Sequence, residues 1–261
     1  LVLVSRSSAG NGIRLLNGTT GADSGALSQG VAGFITGGTF AINMAGVADD
    51  NAIYVGNLSG SATGTHKIYR WTNEAATPTV AYSNTAGGGR TRVGDDMDVI
   101  GSGVNTRIVM SGGSADLGYN YYTTADGLTY TSAQQAVGTN NGDFRLGLTF
   151  TTPNGVWGKE TSDSLKRSTV SPLGLDGTSA LASAGEAPMD YATIAGVNFL
   201  AAIDVNNSNV RVYDVTDPAN PVQVALGNTT SGVLTGNGNA VGQVKCGAIS
   251  GDTATIYAMS S

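Results

Sequence analysis

The chain has 261 residues, of which 39 are glycine and only 12% are charged, and its formal net charge is −6. This length suits one large all-β domain or two ordinary domains. An acidic chain with so few lysine and arginine residues lacks the basic surface that binding to a nucleic acid or an anionic membrane requires. No apolar run approaches the roughly 18 residues of a membrane span. The polar, uncharged surface is typical of secreted bacterial β-proteins.

The chain opens with two short apolar stretches. "LVLVSR" (1–6) and "GIRLLN" (12–17) read as neighbouring strands, and they match the second and third strands of the later repeats. There is no initiating Met and no signal-peptide pattern at this end. We therefore expect a mature or partial form of the protein.

One layout recurs about every 50 residues, six times including the N-terminal strand. A turn rich in Gly, Asn and Asp is followed by a short apolar strand and then by a polar loop. These residue types adopt positive φ at little energetic cost, as tight hairpin turns require. After the N-terminus the copies begin at Val47, Gly101, Thr151, Ile194 and Ile249. A period of roughly 40–50 residues with four short strands predicts the blades of a β-propeller. We predict one all-β domain over residues 1–261, with about six repeats.

A hairpin pattern recurs as well. "KIYRWTNEAATPTVAYSN" (67–84) and "RVYDVTDPANPVQVALGN" (211–228) share a basic residue, a Tyr, a turn with proline and a valine-bearing strand. Weaker copies lie at 119–134 and 164–183. The nearest candidate for a helix, "SAQQAV" (132–137), is too short to hold one alone.

The two ends of the chain together supply about five predicted strands, one more than a blade of four needs. Two explanations remain open. Residues outside this sequence complete the blades, or a terminal strand is shared with a neighbouring subunit, since exposed edges template pairing with another chain.

Three stretches carry a resemblance to known families. "VYDVTDPANPV" (212–222) resembles the LVIVD-type repeat of cell-surface propellers. "VADDNAIYVGNL" (47–58) and "RVGDDMDVIGSGVNTRIV" (92–109) resemble uncharacterised extracellular bacterial proteins with propeller-like repeats. The resemblance implies export and a propeller fold, and it carries no established activity.

An acidic cluster is the most distinctive candidate site. Five aspartates near the start of the predicted innermost strands would converge at one mouth of a central channel: Asp95, Asp96, Asp98, Asp143 and Asp190. Several oxygen ligands close together suit a hard cation such as Ca²⁺. The alternative is ordinary turn chemistry, because Asp readily bonds nearby backbone N–H groups.

Residues for nucleophilic or metal chemistry are scarce. His66 is the only histidine and lies in "SATGTHKIYR", which reads as an exposed surface loop entering a strand. Cys246 is the only cysteine, in a strand-like context that predicts a buried, inert thiol. One residue of each type is too few for an ordinary zinc site.

Other side chains offer weaker candidates. Paired carboxylates would be needed for glycoside hydrolysis, and the three glutamates are Glu74, which we expect to be exposed, Glu160 and Glu186. Asn-X-Ser/Thr motifs in predicted turns or loops make glycosylation candidates of Asn17, Asn57, Asn206 and Asn228. Tyr119, Tyr121 and Tyr122 offer either a carbohydrate-stacking platform or core packing, with Tyr122 on the opposite face from the other two.

The leading functional hypothesis is a non-catalytic extracellular structural or interaction protein, with itself as partner in a fibre or surface layer. Head-to-tail contacts that do not close produce filaments. The first alternative is a propeller that binds Ca²⁺ or a carbohydrate at the channel mouth, and the second is a propeller-type hydrolase or lyase. The sequence predicts no catalytic residue and no firm cofactor.

Overall fold

The computed structural model of the chain is almost entirely β-structure. It describes residues 1–6, 12–61, 63–85, 89–159, 164–178, 186–204, 209–228 and 242–260. In these residues twenty-one strands form six consecutive antiparallel sheets, here called sheets I to VI in chain order. Successive antiparallel sheets of this kind are the blades of a β-propeller, which confirms the predicted fold class.

The contacts divide the chain into two compact units, Leu1–Gln135 and Ala136–Ser261. The first unit holds sheets I to III. Sheet I consists of β1 (Val2–Val4), β2 (Ile13–Leu16) and β3 (Asp23–Ala26). Sheet II consists of β4 (Phe40–Val47), β5 (Ile53–Leu58), β6 (His66–Trp71) and β7 (Thr79–Asn84). Sheet III consists of β8 (Met97–Ile100), β9 (Arg107–Ser111), β10 (Tyr119–Thr124) and β11 (Tyr130–Gln135).

The second unit holds sheets IV to VI. Sheet IV consists of β12 (Gly147–Thr152), β13 (Gly155–Lys159), β14 (Lys166–Val170) and β15 (Leu173–Thr178). Sheet V consists of β16 (Glu186–Ile194), β17 (Val197–Asp204), β18 (Asn209–Asp214) and β19 (Val222–Asn228). Sheet VI consists of β20 (Gly242–Ser250) and β21 (Thr253–Ser260). A single domain over residues 1–261 stays a prediction.

The repeats read from the sequence correspond to fixed places in the sheets. The recurring apolar strand is β5, β9, β13, β17 or β21, the second strand of sheets II to VI. The two similar hairpins are β6–β7 and β18–β19, the third and fourth strands of their sheets. The segment "SAQQ" (132–135) belongs to strand β11.

The terminal sheets have fewer strands than the others. Sheet I has three strands and sheet VI has two in the described part of the chain, so together they supply the five strands that the sequence predicts. No helix among the described residues is long and apolar enough to cross a membrane.

The core of the first unit packs against both faces of sheet II. Side chains alternate along a strand, so Ile68 of β6 faces a cluster with Tyr122 and Tyr130 of sheet III. Tyr69 and Trp71 of the same strand face the other way, into a cluster that includes Ile13 of sheet I. Strand β6 is therefore buried on both faces, and its polar side chains must find partners inside the protein.

Candidate functional site

His66 lies at the start of β6 and is fully buried between sheets II and III. Its Nδ1 is 2.9 Å from Oδ1 of Asn57, and its Nε2 is 2.9 Å from the hydroxyl of Tyr122. The amide of Asn57 is fixed in orientation, because its Nδ2 donates to the carbonyl of Thr65 and its Oδ1 accepts from the amide of Lys67. Both ring nitrogens of His66 are thus satisfied.

These contacts form a chain of hydrogen bonds with one direction. Oδ1 of Asn57 only accepts, so Nδ1 of His66 carries the ring proton and Nε2 accepts from the Tyr122 hydroxyl. The Tyr122 oxygen in turn lies 3.3 Å from the donating Nδ2 of Asn120. Nε of Arg90 donates to Oδ1 of Asn120 at 2.6 Å. Every bond therefore points from Arg90 towards Asn57.

The buried position keeps His66 neutral. Burial lowers the pKa of His66 from 6.5 to about 3. Burial also raises the pKa of Tyr122, so its hydroxyl stays protonated and able to donate. Protonated His66 would present a second N–H to the Tyr122 hydroxyl and break the direction of the chain. His66 therefore serves as a structural acceptor, and it is not placed to act as a general base.

Arg90 is the first donor in this chain of hydrogen bonds. Only 5% of Arg90 is exposed. Its Nη1 donates to the carbonyl of Leu117 at 2.8 Å, and its Nη2 donates to the carbonyls of Tyr119 at 2.8 Å and Gln135 at 3.3 Å. Burial lowers the pKa of Arg90, and the nearby charge of Asp116 acts in the opposite direction. Arg90 fastens the segment before β8 to strands β10 and β11.

Arg70, at the other end of β6, has a different environment. Only 8% of this residue is exposed, yet its side chain makes one hydrogen bond to the described residues, from Nε to the hydroxyl of Tyr54 at 3.1 Å. The Tyr54 oxygen lies 2.7 Å from the hydroxyl of Tyr130 in sheet III. Sequence analysis missed Arg70 and Arg90. The sequence gives no signal for Arg90. For Arg70 the one signal is its position two residues from Ile68, in a strand that is buried on both faces.

Two of the predicted aspartates form ion pairs with lysine in the second unit. Oδ1 of Asp143 is 2.8 Å from Nζ of Lys166, with both side chains almost completely buried. Oδ1 of Asp190 is 3.0 Å from Nζ of Lys245. Backbone amides bond the second oxygens: those of Thr139 and Asn140 to Asp143, and that of Cys246 to Asp190. Lysine thus balances the charge at both positions.

The remaining aspartates lie before or within β8 in the first unit. Arg92 binds both oxygens of Asp95, at 2.6 and 2.7 Å. Oδ1 of Asp96 accepts from the amide of Met97, and Asp98 is buried within β8. No three His, Cys, Asp or Glu side chains lie together as a metal site in the part of the chain that the structure describes. These contacts favour structural roles, and Ca²⁺ binding stays a prediction.

Two sequence predictions are wrong. His66 is not an exposed loop residue, because β6 begins at this position and is covered on both faces. Asn57 is not a loop residue open to glycosylation, because it lies in β5, fully buried against His66. Asn17 is exposed in a turn, where its Oδ1 accepts from the amides of Thr19 and Thr20. Asn228 ends strand β19, and Asn206 lies outside the described residues.

The other candidates are scattered. Glu74 is exposed, as predicted, and lines a groove of about 480 Å³ with Asn51, Asn73, Ile53 and other residues; none of the described lining residues is a second carboxylate. Glu160 and the side chain of Glu186 lie outside the described part.

Cys246 and the three tyrosines lie in strands. Cys246 belongs to β20, where it is half-buried. Tyr119, Tyr121 and Tyr122 are all buried in β10. Core packing is therefore their role, and they do not form an exposed carbohydrate platform.

Residues 2–117 match a family model described as a domain of unknown function, DUF4623. The match covers less than half of the chain. No curated protein matches the sequence.

Several solved structures share the fold. A DUF4623 family protein from Bacteroides eggerthii aligns with a TM-score of 0.65 at 18% identity over 94% of this chain, which spans 63% of the length of that protein. A periplasmic gluconolactonase from Pseudomonas aeruginosa aligns with a TM-score of 0.56 at 12% identity, covering 95% of this chain and 71% of the enzyme. A protein of unknown function from Desulfotomaculum acetoxidans aligns with a TM-score of 0.54 at 13% identity, covering 99% and 72%. At these identities the likeness supports the propeller fold alone.

Proposed function

We propose that this protein is a non-catalytic, secreted structural or interaction protein that associates with copies of itself through a sheet edge. The observation that carries the proposal is the outer strand of sheet V. Strand β19 pairs only with β18 in the described residues, and it carries Val222 and Val224 with exposed fractions of 58% and 52%. An edge strand with unpaired backbone groups is a template for another strand.

The outer strands of the other four-stranded sheets are less apolar at their exposed positions. Strand β7 exposes one large apolar residue, Val80, and β15 exposes Leu173. In β11 the exposed positions are Thr131, Ser132, Ala133 and Gln134. Among the described outer strands, β19 thus combines an open edge with two exposed valines, and neighbouring strands of two copies would cover both.

The groups that a hydrolase would use as acid or base have structural partners instead. His66 is buried and bonded through both nitrogens, and Asp143 and Asp190 are paired with lysine. This pattern favours a role without catalysis. The competing function is hydrolysis of a lactone, because a gluconolactonase has a similar fold.

The test measures self-association of the full chain by sedimentation velocity over a range of concentrations, with negative-stain microscopy at the highest. We expect concentration-dependent oligomers or filaments. Val224→Lys should abolish them, because a charge on an edge strand opposes pairing. The matched control is Val31→Lys, at an exposed fraction of 75% outside any strand, which should leave association unchanged.

Two results would overturn the proposal. One is a monodisperse monomer at every concentration, and the other is turnover of gluconolactone well above the uncatalysed rate. Fractionation of the source cells tests secretion separately, since an extracellular protein leaves the cell pellet.

A further inference from the structure

We propose that the outer edge of the Arg70 guanidinium is a binding site for a small carboxylate anion. An arginine side chain has five N–H donors in a planar fork and remains charged. Among the described residues, Nε is the one nitrogen of Arg70 with a hydrogen-bond partner, the hydroxyl of Tyr54. The two Nη nitrogens therefore keep four N–H donors for a ligand, although only 8% of the residue is exposed.

Arg90 shows what a purely structural arginine looks like in the same unit. Arg90 makes four hydrogen bonds, one to Asn120 and three to backbone carbonyls, and all three of its nitrogens are used. The side chain of Arg70 is almost as deeply buried and makes one hydrogen bond to the described residues. The Nη atoms of Arg70 are not among the buried atoms that lack a partner in the described residues, so this edge of the guanidinium is open to solvent and to an anion.

Two aspartates in the turns near Arg70 already accept hydrogen bonds from backbone amides. Asp50, in the turn before β5, accepts from the amides of Ala52 at 3.2 Å and Gly103 at 3.1 Å. Asp126, in the turn before β11, accepts from the amides of Leu128 and Thr129, both at 2.8 Å. Neither aspartate pairs with Arg70, so the protein supplies no counter-ion from these turns.

Hydroxyl groups beside Arg70 extend the site. The hydroxyls of Tyr54 and Tyr130 lie 2.7 Å apart. The Oγ1 atom of Thr106 is buried and makes no hydrogen bond of ordinary geometry. Burial and the Tyr54 hydroxyl raise the pKa of Tyr130, while Thr106 and the charge of Arg70 act to lower it. A ligand hydroxyl would find both donors and acceptors here.

The chemistry favours a carboxylate carried on a small molecule. Two oxygens in one plane match the fork of Nη1 and Nη2, and one negative charge balances one guanidinium. A carboxylate with neighbouring hydroxyls, such as that of an acidic sugar, would use the tyrosine and threonine hydroxyls as well. A simple organic acid and an acidic sugar share the carboxylate, and the experiment separates them.

The experiment is a calorimetric titration of the full chain at pH 7 and constant ionic strength with acetate, glucuronate and, as the neutral control, glucose. We expect acetate to bind with a Kd on the order of millimolar, as befits a ligand of four heavy atoms. A Kd for glucuronate at least about 10-fold lower than that for acetate identifies the acidic sugar as the ligand. Equal Kd values identify the simple carboxylate, and glucose should not bind.

Two variants locate the site. Arg70→Gln should weaken binding by about 10-fold or more, while Arg14→Gln, which removes an exposed arginine paired with Asp23, should leave it unchanged. Equal weakening in both variants, or none in Arg70→Gln, overturns the proposal. Absence of binding by acetate and glucuronate to the unaltered protein overturns it as well.

A crystal soaked in 3-bromopropionate gives a readout that does not depend on any variant folding. The bromine should give an anomalous peak beside the Arg70 guanidinium. A peak elsewhere, with none at Arg70, assigns the binding to another site and overturns the proposal.

Discussion

The two ends of strand β6 carry two buried polar residues whose surroundings differ in one respect. At one end His66 has a partner on each ring nitrogen, and its partners have partners of their own. At the other end Arg70 has a partner on one nitrogen of three. Both residues face sheet III from the same side of the same strand, with Ile68 between them.

This difference separates polar groups that hold the fold together from groups that remain available. A completed set of hydrogen bonds fixes two sheets against each other, and removing one member leaves the rest unpaired in the interior. An incomplete set does little for stability and keeps donors for a ligand. Measurements of stability therefore test whether His66 and Arg70 differ in this way.

The largest effect should come from His66→Ala. The change leaves Asn57 and Tyr122 without their common partner and opens a cavity, so the free energy of unfolding should fall by about 3–5 kcal/mol. Urea unfolding followed by tryptophan fluorescence measures it. A loss below about 1 kcal/mol would mean that the hydrogen-bond chain contributes little.

The second effect is a dependence of stability on pH. The pKa of His66 is lowered in the folded state, so folding favours the neutral ring; its contribution is complete above pH 6.5 and is lost as the pH falls towards about 3. The free energy of unfolding should drop by up to about 1.4 kcal/mol per pH unit. Urea titrations between pH 6.5 and 4.5 measure it, above the range where most carboxylates titrate. His66→Gln should remove this slope, and an unchanged slope would assign it to other groups.

A smaller loss is expected from Tyr122→Phe. The ring stays in place, but Nε2 of His66 and Nδ2 of Asn120 lose the hydroxyl between them, which should cost about 1–3 kcal/mol. The same unfolding assay measures it, with Tyr191→Phe as the control, because the Tyr191 hydroxyl bonds Thr193 at an exposed position. Equal losses in the two variants would show that the effect is not specific to the chain.

The smallest change is expected from Arg70→Gln in a buffer free of carboxylates. Because most of its donors have no protein partner, the free energy of unfolding should change by less than about 1 kcal/mol in either direction. Arg90→Gln is the matched comparison, and the loss of its four hydrogen bonds should cost about 2–4 kcal/mol. Similar losses at both positions would place Arg70 among the structural residues.

The fold was largely predictable because turn chemistry and strand period are local. The turns before β5, β9, β13, β17 and β21 carry Gly, Asn or Asp where tight turns need them, and each precedes a short apolar strand. The likeness of 67–84 and 211–228 identified two equivalent hairpins. Local patterns of this kind give strand positions without knowledge of what packs on them.

The polar interior was not predictable, because its partners are distant in the sequence. His66 meets Tyr122, 56 residues away, and Arg90 meets Asn120, 30 residues away. A histidine after "SATGT" (61–65) looks like part of a polar loop until both faces of its strand are seen to be covered. Asn57 was misassigned for the same reason, since a glycosylation motif says nothing about burial.

The one-way chain from Arg90 to Asn57 also bears on how the polypeptide assembles itself. A protein built from similar sheets risks docking the wrong pair during folding, because apolar faces of similar shape are nearly interchangeable. A buried polar set that is complete only when sheet III meets sheet II penalises every other pairing. We therefore expect these hydrogen bonds to specify that sheet III packs against sheet II and against no other sheet.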